Sequence, residues 1–436
     1  MPTIALSMIV RDEESTLPAC LESVKDLVDE MVIADTGSKD GTQEVARRFG
    51  ARCVSIPWED DFARARNQAL GGIRCDWVLS MDADEQLDEN AKRVLPCLLE
   101  ASVTDGYYVT IYDYVLNSDA NVWDYPAKTN RCEFAPAQRF PAYIEHANIR
   151  LFRHRPEIYF AGTIHESVGP RIVESGGVLG KAEFVIHHFG LISDPPTQAR
   201  KRQLYRRLLH KKIQEMPQDV QAHLECGRAE LCVFHDAEEA LKCFAAACQL
   251  RPRLAAAWLY QGSALRRLGR PVEALEALRR AESISGRKAD VAEGEGDAYY
   301  DLQDFDAARR SYERALACRQ PRPCVESKLG LAEVRLGRTL AGLDRLRQAV
   351  RKEPWSGEHH DRLIQACCWL NLVEEAASAA DQKLGAVSPD PESFLRAASI
   401  HARLEQRDKA ALILRLGLSL FPGVERLQRC LAELQS

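Results

Sequence analysis

The chain has 436 residues, 46% of them hydrophobic and 28% charged, with a formal net charge of −6. That length exceeds one ordinary domain and points to two or three. The acidic balance leaves no basic footprint for nucleic acid, and no apolar run is long enough for a membrane span. Fourteen cysteines form no C-x-x-C pair and no zinc-like spacing, so they read as reduced core thiols of a cytoplasmic protein.

In chain order, residues 3–10 read as a first strand. The apolar start lacks a basic n-region and runs straight into Arg11-Asp12-Glu13-Glu14, unlike a signal peptide. Residues 15–26 and 42–49 carry helical periodicity with Ser, Asp and Thr placed to cap. Glu30 to Ala34 is a second strand, ending in Asp35-Thr36-Gly37-Ser38-Lys39-Asp40-Gly41-Thr42, and Cys53 to Ile56 is a third. Trp77 to Met81 is a buried fourth strand that runs into Asp82-Ala83-Asp84-Glu85. Strand and helix alternate, which predicts a largely parallel sheet. Ligands of such sheets bind beyond the carboxyl ends of the strands. The first strand brings Arg11 and Asp12 there, the second Asp35, the fourth Asp82 and Asp84. An Asp-x-Asp at that edge offers hard oxygen ligands to Mg²⁺ or Mn²⁺, which in turn holds a diphosphate.

Residues 115–147, with Asn117, Trp123, Tyr125, Pro126, Arg131 and Pro136, show no clean periodicity. So long a stretch reads as a lid or an inserted substrate loop. Residues 148–153 are a further strand, followed by a segment that ends in His165-Glu166. The strand Glu183 to Ile186 ends in His187-His188-Phe189-Gly190; alternation turns one histidine inward and leaves open which. Residues 196–220 form a linker and a basic connecting helix that includes Arg200-Lys201-Arg202 and Lys211-Lys212.

From about residue 221 the sequence repeats with a period of 34. Ala240, Ala274, Ala308, Gly342, Ala376 and Ala410 recur in register, and four residues later come Phe244, Leu278, Tyr312, Leu346, Ala380 and Leu414. Small residues where two helices cross, large ones filling the gap, and Pro252, Pro354 and Pro422 ending units describe paired antiparallel helices. The pattern resembles the tetratricopeptide repeat: six units over 221–424 and a terminal helix at 425–436, with Ala380 and Lys383 making the fifth unit looser. The first helices build a concave face with Tyr260, Arg266, Arg267, Asp290, Glu293, Asp297 and Asp301. That face is either an ordinary solvated surface or a mixed-charge groove for an extended peptide.

The ordered set Ser7-x-x-x-x-Asp12-Glu13-Glu14, Asp35-Thr36-Gly37-Ser38-x-Asp40-Gly41-Thr42, Asp61-Phe62-Ala63-x-Ala65-Arg66-Asn67 and Asp82-Ala83-Asp84-Glu85 resembles the motifs of family-two glycosyltransferases with the GT-A fold. With the repeats, the chain resembles the bacterial branch that includes peptide glycosyltransferases of the glycocin type. The resemblance implies a Rossmann-like α/β GT-A domain over 1–195 and an all-α repeat solenoid over 221–436. It implies that Asp35 accepts a hydrogen bond from the uracil of a UDP-sugar, that Arg66 lies near the nucleotide, and that Asp84 and Asp82 serve ribose and metal. Asp12 stands where the family usually has Asn and is counted with the donor-binding residues, as is Arg150 for diphosphate. In this branch His165 and Glu166 face the acceptor, and His188 completes the metal or diphosphate site with Mn²⁺ or Mg²⁺. Glu166 is the candidate general base, since an inverting transferase must deprotonate its acceptor; the rival reading makes it a salt bridge to Arg150 or Arg153. The family's aromatic after its later His-x-Gly motif is Leu191 here.

These expectations sum to an inverting transferase that moves a sugar from UDP to a peptide or protein held by the repeats. Two rivals are transfer to a lipid or cell-envelope glycan, and a repeat scaffold with a silent transferase domain. Homodimerisation is compatible with the repeats and not required by them.

Overall fold

A computed structural model of the chain describes residues 2–100, 103–116, 121–122, 125–190, 195–286, 289–318, 323–386 and 390–435. The chain divides into two compact units, one built up to residue 222 and one from residue 223 onward. Among the described residues no helix is long and apolar enough to cross a membrane.

The first unit contains, in order, β1 (Ile4–Val10), α1 (Leu17–Val24), β2 (Glu30–Asp35), α2 (Thr42–Arg48), β3 (Arg52–Ser55), α3 (Phe62–Leu70), β4 (Trp77–Ser80), β5 (Glu85–Leu87), α4 (Asn90–Glu100), β6 (Gly106–Val115), β7 (Asn121–Val122), β8 (Tyr125–Pro126), β9 (Lys128–Thr129), β10 (Ala142–Arg153), α5 (Gly169–Glu174), β11 (Leu179–His188) and α6 (Pro195–Glu215). Its main sheet has the order β3-β2-β1-β4-β10-β6-β11-β5. The first four strands are parallel, as the alternation of strand and helix requires. The expectation of a largely parallel sheet stops there: β10 runs antiparallel to β4 and to β6, and β5 antiparallel to β11. The described part of the segment between β6 and β10 contains no crossover helix, so those two strands meet head to tail.

Alternation along β1 decides the two faces. Leu6 and Met8 pack with Leu17 and Leu21 of α1, whereas Ala5 packs with Ala63 and Leu70 of α3. Residues 115–147 are not an open loop where they are described. Lys128 and Thr129 pair with the start of β10, a 3₁₀ turn covers Ala135–Ala137, and Phe134, Phe140 and Tyr143 join an aromatic cluster around Tyr114. Asn117 and Trp123 lie outside the described residues.

The second part of the chain is helical: α7 (Val220–Cys232), α8 (Ala237–Leu250), α9 (Ala255–Arg267), α10 (Pro271–Ser285), α11 (Ala289–Asp301), α12 (Phe305–Leu316), α13 (Pro323–Arg335), α14 (Thr339–Lys352), α15 (Gly357–Trp369), α16 (Val373–Ala386), α17 (Pro391–Arg403), α18 (Arg407–Leu420) and α19 (Glu425–Gln435). The repeat pattern has a direct packing cause. A Cβ at Gly262 would come within 2.9 Å of Leu278, and one at Gly296 within 2.5 Å of Tyr312, so the large residue of each second helix needs the missing side chain of the first. This is the close crossing of a tetratricopeptide solenoid.

Charges expected on the concave face pair largely with one another. Asp297 accepts from Arg266 at 2.7 Å, Lys328 at 2.9 Å and the Tyr312 hydroxyl at 2.8 Å. Burial would raise its pKa, but Lys328 and Arg266 outweigh that and hold it below the usual carboxylate range. A carboxylate whose pKa is depressed by folding contributes stability above its unfolded value, near 4, and loses it as pH falls through the folded one. Asp297→Ala is therefore expected to cost about 3 kcal/mol in a urea melt at neutral pH, with the deficit shrinking in acid.

Candidate active site

β1 lies between β2 and β4. The chain leaves β1 through α1 on one face and returns to β4 after α3 on the other, so the strand order reverses between β1 and β4. The crevice at such a reversal, beyond the carboxyl ends of the strands, is the place for a ligand.

On the β2 side, Asp35 is fully buried. Its Oδ1 accepts from the backbone N–H groups of Gly37 (2.7 Å) and Ser38 (2.8 Å), and its Oδ2 has no partner among the described residues. A buried carboxylate oxygen without a donor is costly unless a ligand supplies one. Gly37, at φ +109°, makes the turn that points these amides back at Asp35. Asp12 closes the neighbouring loop instead: its Oδ1 accepts from Lys39 N–H at 2.6 Å and its own N–H donates to Ser38 Oγ.

Beyond β4 the acidic run is compensated by two buried arginines. Arg66, on α3, donates from Nε to Glu166 Oε1 at 2.5 Å, from one terminal nitrogen to Asp82 Oδ1 at 2.6 Å, and from the other to Ser80 Oγ at 3.3 Å. Arg150, on β10, donates to Glu85 Oε1 at 2.6 Å and to Asp82 Oδ2 at 3.2 Å. Burial acts to raise the Asp82 pKa, but the two guanidiniums prevail and hold it far below the usual range. Glu85, buried deeper on β5, is pushed up to about 7 by desolvation. The partner of Glu166 is thus Arg66, not Arg150 or Arg153. Arg153 lies instead over the Trp77 ring, 4.4 Å from its centroid, and faces Asp105.

Asp84 faces His188: its Oδ1 lies 3.4 Å from Nε2, while Nδ1 meets Asp113 Oδ1 at 2.6 Å. Asp113 also binds His146, at 3.0 Å. Register on β11 and β6 makes this set, since His188 pairs with Asp113 and His187 with Tyr112. His187 turns the other way, accepting or donating at Nδ1 with Tyr114 hydroxyl (2.8 Å) and stacking on Phe134; burial drops its pKa to about 4. A carboxylate beside an imidazole whose far nitrogen is fixed by a second carboxylate suits a divalent cation. Asp82, Asp84 and His188 do not bring three donor atoms around one point here, because Asp82 is held by Arg66 and Arg150. A cation at Asp84 and His188 would draw its remaining ligands from diphosphate and water.

His165 and Glu166 sit on a tight turn, with Gly162 at φ +103° and His165 at φ +54°. α6 fastens that turn: Lys212 Nζ donates to the Ile164 carbonyl at 3.4 Å and the Thr163 hydroxyl donates to Glu215 at 2.9 Å. Arg207 and Lys211 of the same helix bind Asp60 and the Glu59 carbonyl. The basic run of residues 200–212 therefore contributes to the site's support, which its charge alone did not reveal. Asp113 and His146 were likewise not singled out in the sequence; each lies inside a strand whose pairing had to be known first.

In the second unit a cleft of about 770 Å³ is lined by α15, α17 and α19, with Trp369, Arg362, Arg396, Arg403, Leu395 and Ile400 on its walls. Arg335 stacks on Trp369 at 4.9 Å.

Residues 6–158 match the family Glycosyl transferase family 2, and residues 234–289 and 294–334 match Tetratricopeptide repeat. A TPR repeat-containing protein of Synechococcus elongatus is 32% identical over 225 residues, 50% of each chain. An uncharacterized glycosyltransferase of Rickettsia typhi is 28% identical over 109 residues, covering 24% of this chain and 36% of that one. The lipopolysaccharide core biosynthesis glycosyltransferase LpsC of Rhizobium meliloti is 35% identical over 109 residues, 23% of this chain and 40% of that one. The chain thus spans half or less of the length of these curated relatives. The order of the strands, the motifs at their carboxyl ends and these matches make the first unit a family-two glycosyltransferase domain, carried in one chain with tetratricopeptide repeats.

Proposed function

We propose that the protein is an inverting glycosyltransferase that moves a sugar from a UDP-sugar to a peptide or protein acceptor in a reducing, cytoplasmic compartment. The reading rests chiefly on Asp35: a buried carboxylate oxygen without a donor, at the crevice, suits the ring N–H of uracil. Arg66 and Arg150 fix Asp82 and Glu166 beside the diphosphate position. Glu166 Oε1 is taken by Arg66, which leaves Oε2 to accept the proton of the acceptor hydroxyl or thiol. The acceptor atom then bonds to the anomeric carbon as the bond to UDP breaks, which converts an α-linked donor to a β-linked product. Mn²⁺ or Mg²⁺ held by Asp84 and His188 would offset the charge that grows on the leaving diphosphate. The arginine- and tryptophan-lined cleft of the second unit supports an extended acceptor, and all fourteen cysteines are free thiols.

The likeness to LpsC favours a second reading, a cell-envelope glycan as acceptor. Incubating the full chain with UDP-sugar and either peptide pools or core oligosaccharide separates the two by which becomes labelled.

The donor site is tested by thermal melts against nucleotides and UDP-sugars with Mn²⁺. At ligand near 100 Kd the native state gains about 2.7 kcal/mol, a rise of several degrees. The rise is expected with one UDP-sugar, to require metal, and to vanish in Asp84→Ala. No rise with any nucleotide removes the transferase reading in favour of a repeat scaffold.

A further inference from the structure

The helix that follows the sheet brings one more side chain to the crevice, beyond the region 6–158 that matches the family. We propose that Tyr205 of α6 forms a sugar subsite. Its ring packs against the apolar face of the hexose carried by the nucleotide, and its hydroxyl hydrogen-bonds one hydroxyl group of that hexose. The proposal rests on the donor reading above.

The geometry comes from three sides. The Tyr205 ring centroid lies 6.2 Å from that of His165 and 6.1 Å from that of Phe62, so the residue spans the turn carrying Glu166 and the start of α3. The charged groups that act most strongly on its phenol are Glu166, Asp82, Arg66 and Asp84, the groups gathered at the crevice beyond β4. Lys201, one helical turn earlier and on the same face, is within range of Asp84 and Glu13. This face of α6 therefore looks across the crevice from β4.

The helix is also fixed. Leu208 and Leu209 are buried, and Arg207, Lys211, Lys212 and Glu215 bind the two loops beneath it. A rigid helix that holds a tyrosine 40% exposed, its hydroxyl without a hydrogen bond among the described residues, presents an aromatic face and a free polar tip. That combination matches a pyranose, which has one apolar face of C–H groups and a rim of hydroxyls. Packing on Phe62 alone would account for the ring contact but not for the grouping of the phenol with Glu166 and Asp84.

The test is calorimetry on the full chain with Mn²⁺, using UDP, UDP-glucose, UDP-galactose and UDP-N-acetylglucosamine against wild type, Tyr205→Phe and Tyr205→Ala. Tyr205→Phe is expected to bind UDP as wild type does, and to bind the preferred UDP-hexose about fivefold to tenfold more weakly, the loss of one hydrogen bond. Tyr205→Ala should weaken the hexose further and still spare UDP. Equal weakening of UDP and UDP-hexose, or unchanged hexose affinity in both variants, overturns the subsite while leaving the donor reading intact. Wild type that binds neither UDP nor any UDP-sugar overturns both.

Discussion

Replacing Arg66 by alanine is expected to lower stability by about 3–5 kcal/mol and to reduce transfer at least 100-fold. The guanidinium is buried and meets Glu166, Asp82 and Ser80 at once. Removing it leaves the largely buried Glu166 without its counter-charge and leaves Asp82 only Arg150. Breaking a buried pair from one side carries that penalty, because the remaining charge keeps its desolvation cost. The pKa of Arg66 itself is raised: burial works against its charge, but Asp82 and Glu166 more than compensate. Arg66→Lys is expected to restore little, since one ammonium cannot occupy the separate positions of Nε and the terminal nitrogens. Denaturant melts with initial-rate measurements on both variants check this. A lysine variant with wild-type rate would mean that only charge matters, and the forked geometry would lose its role.

Glu166→Gln separates chemistry from architecture. The amide oxygen can still accept from Arg66, so fold and donor binding are expected to stay within about twofold of wild type. Turnover should fall by roughly 10²- to 10⁴-fold, the usual worth of a positioned base. Calorimetry with UDP and single-turnover transfer read the two separately. A drop of less than tenfold would place proton removal elsewhere, with Glu166 serving only as the counter-charge of Arg66.

What could be read from the sequence followed from locality. A period of 34 residues is visible because each helix pair packs on its neighbour, and the glycines at 262 and 296 carry the imprint of Leu278 and Tyr312. The ends of β1, β2 and β4 were legible because apolar runs stop at charged residues. The compensation of the acidic edge was not. Arg66 and Glu166 are separated by 100 residues, and only the folded sheet brings the 163–166 turn back to α3. The carboxylates of that edge are interleaved with the guanidiniums of Arg66 and Arg150. His187 and His188 could not be told apart because alternation fixes a period and not a phase; the β6 register supplies the phase by setting His188 against Asp113. The mixed half of the sheet escaped for a similar reason, since β6 and β10 stabilise each other across a long interruption.

The attachment of α6 has a practical corollary for dissecting the molecule. A truncation at residue 158, where the family match ends, would discard Glu166, Asp84's partner His188, and the helix that clamps the 163–166 turn. A fragment that keeps the first compact unit whole must instead run to about residue 222. Modularity in this chain is therefore set by where the packing closes, some sixty residues after the recognisable motif series has finished.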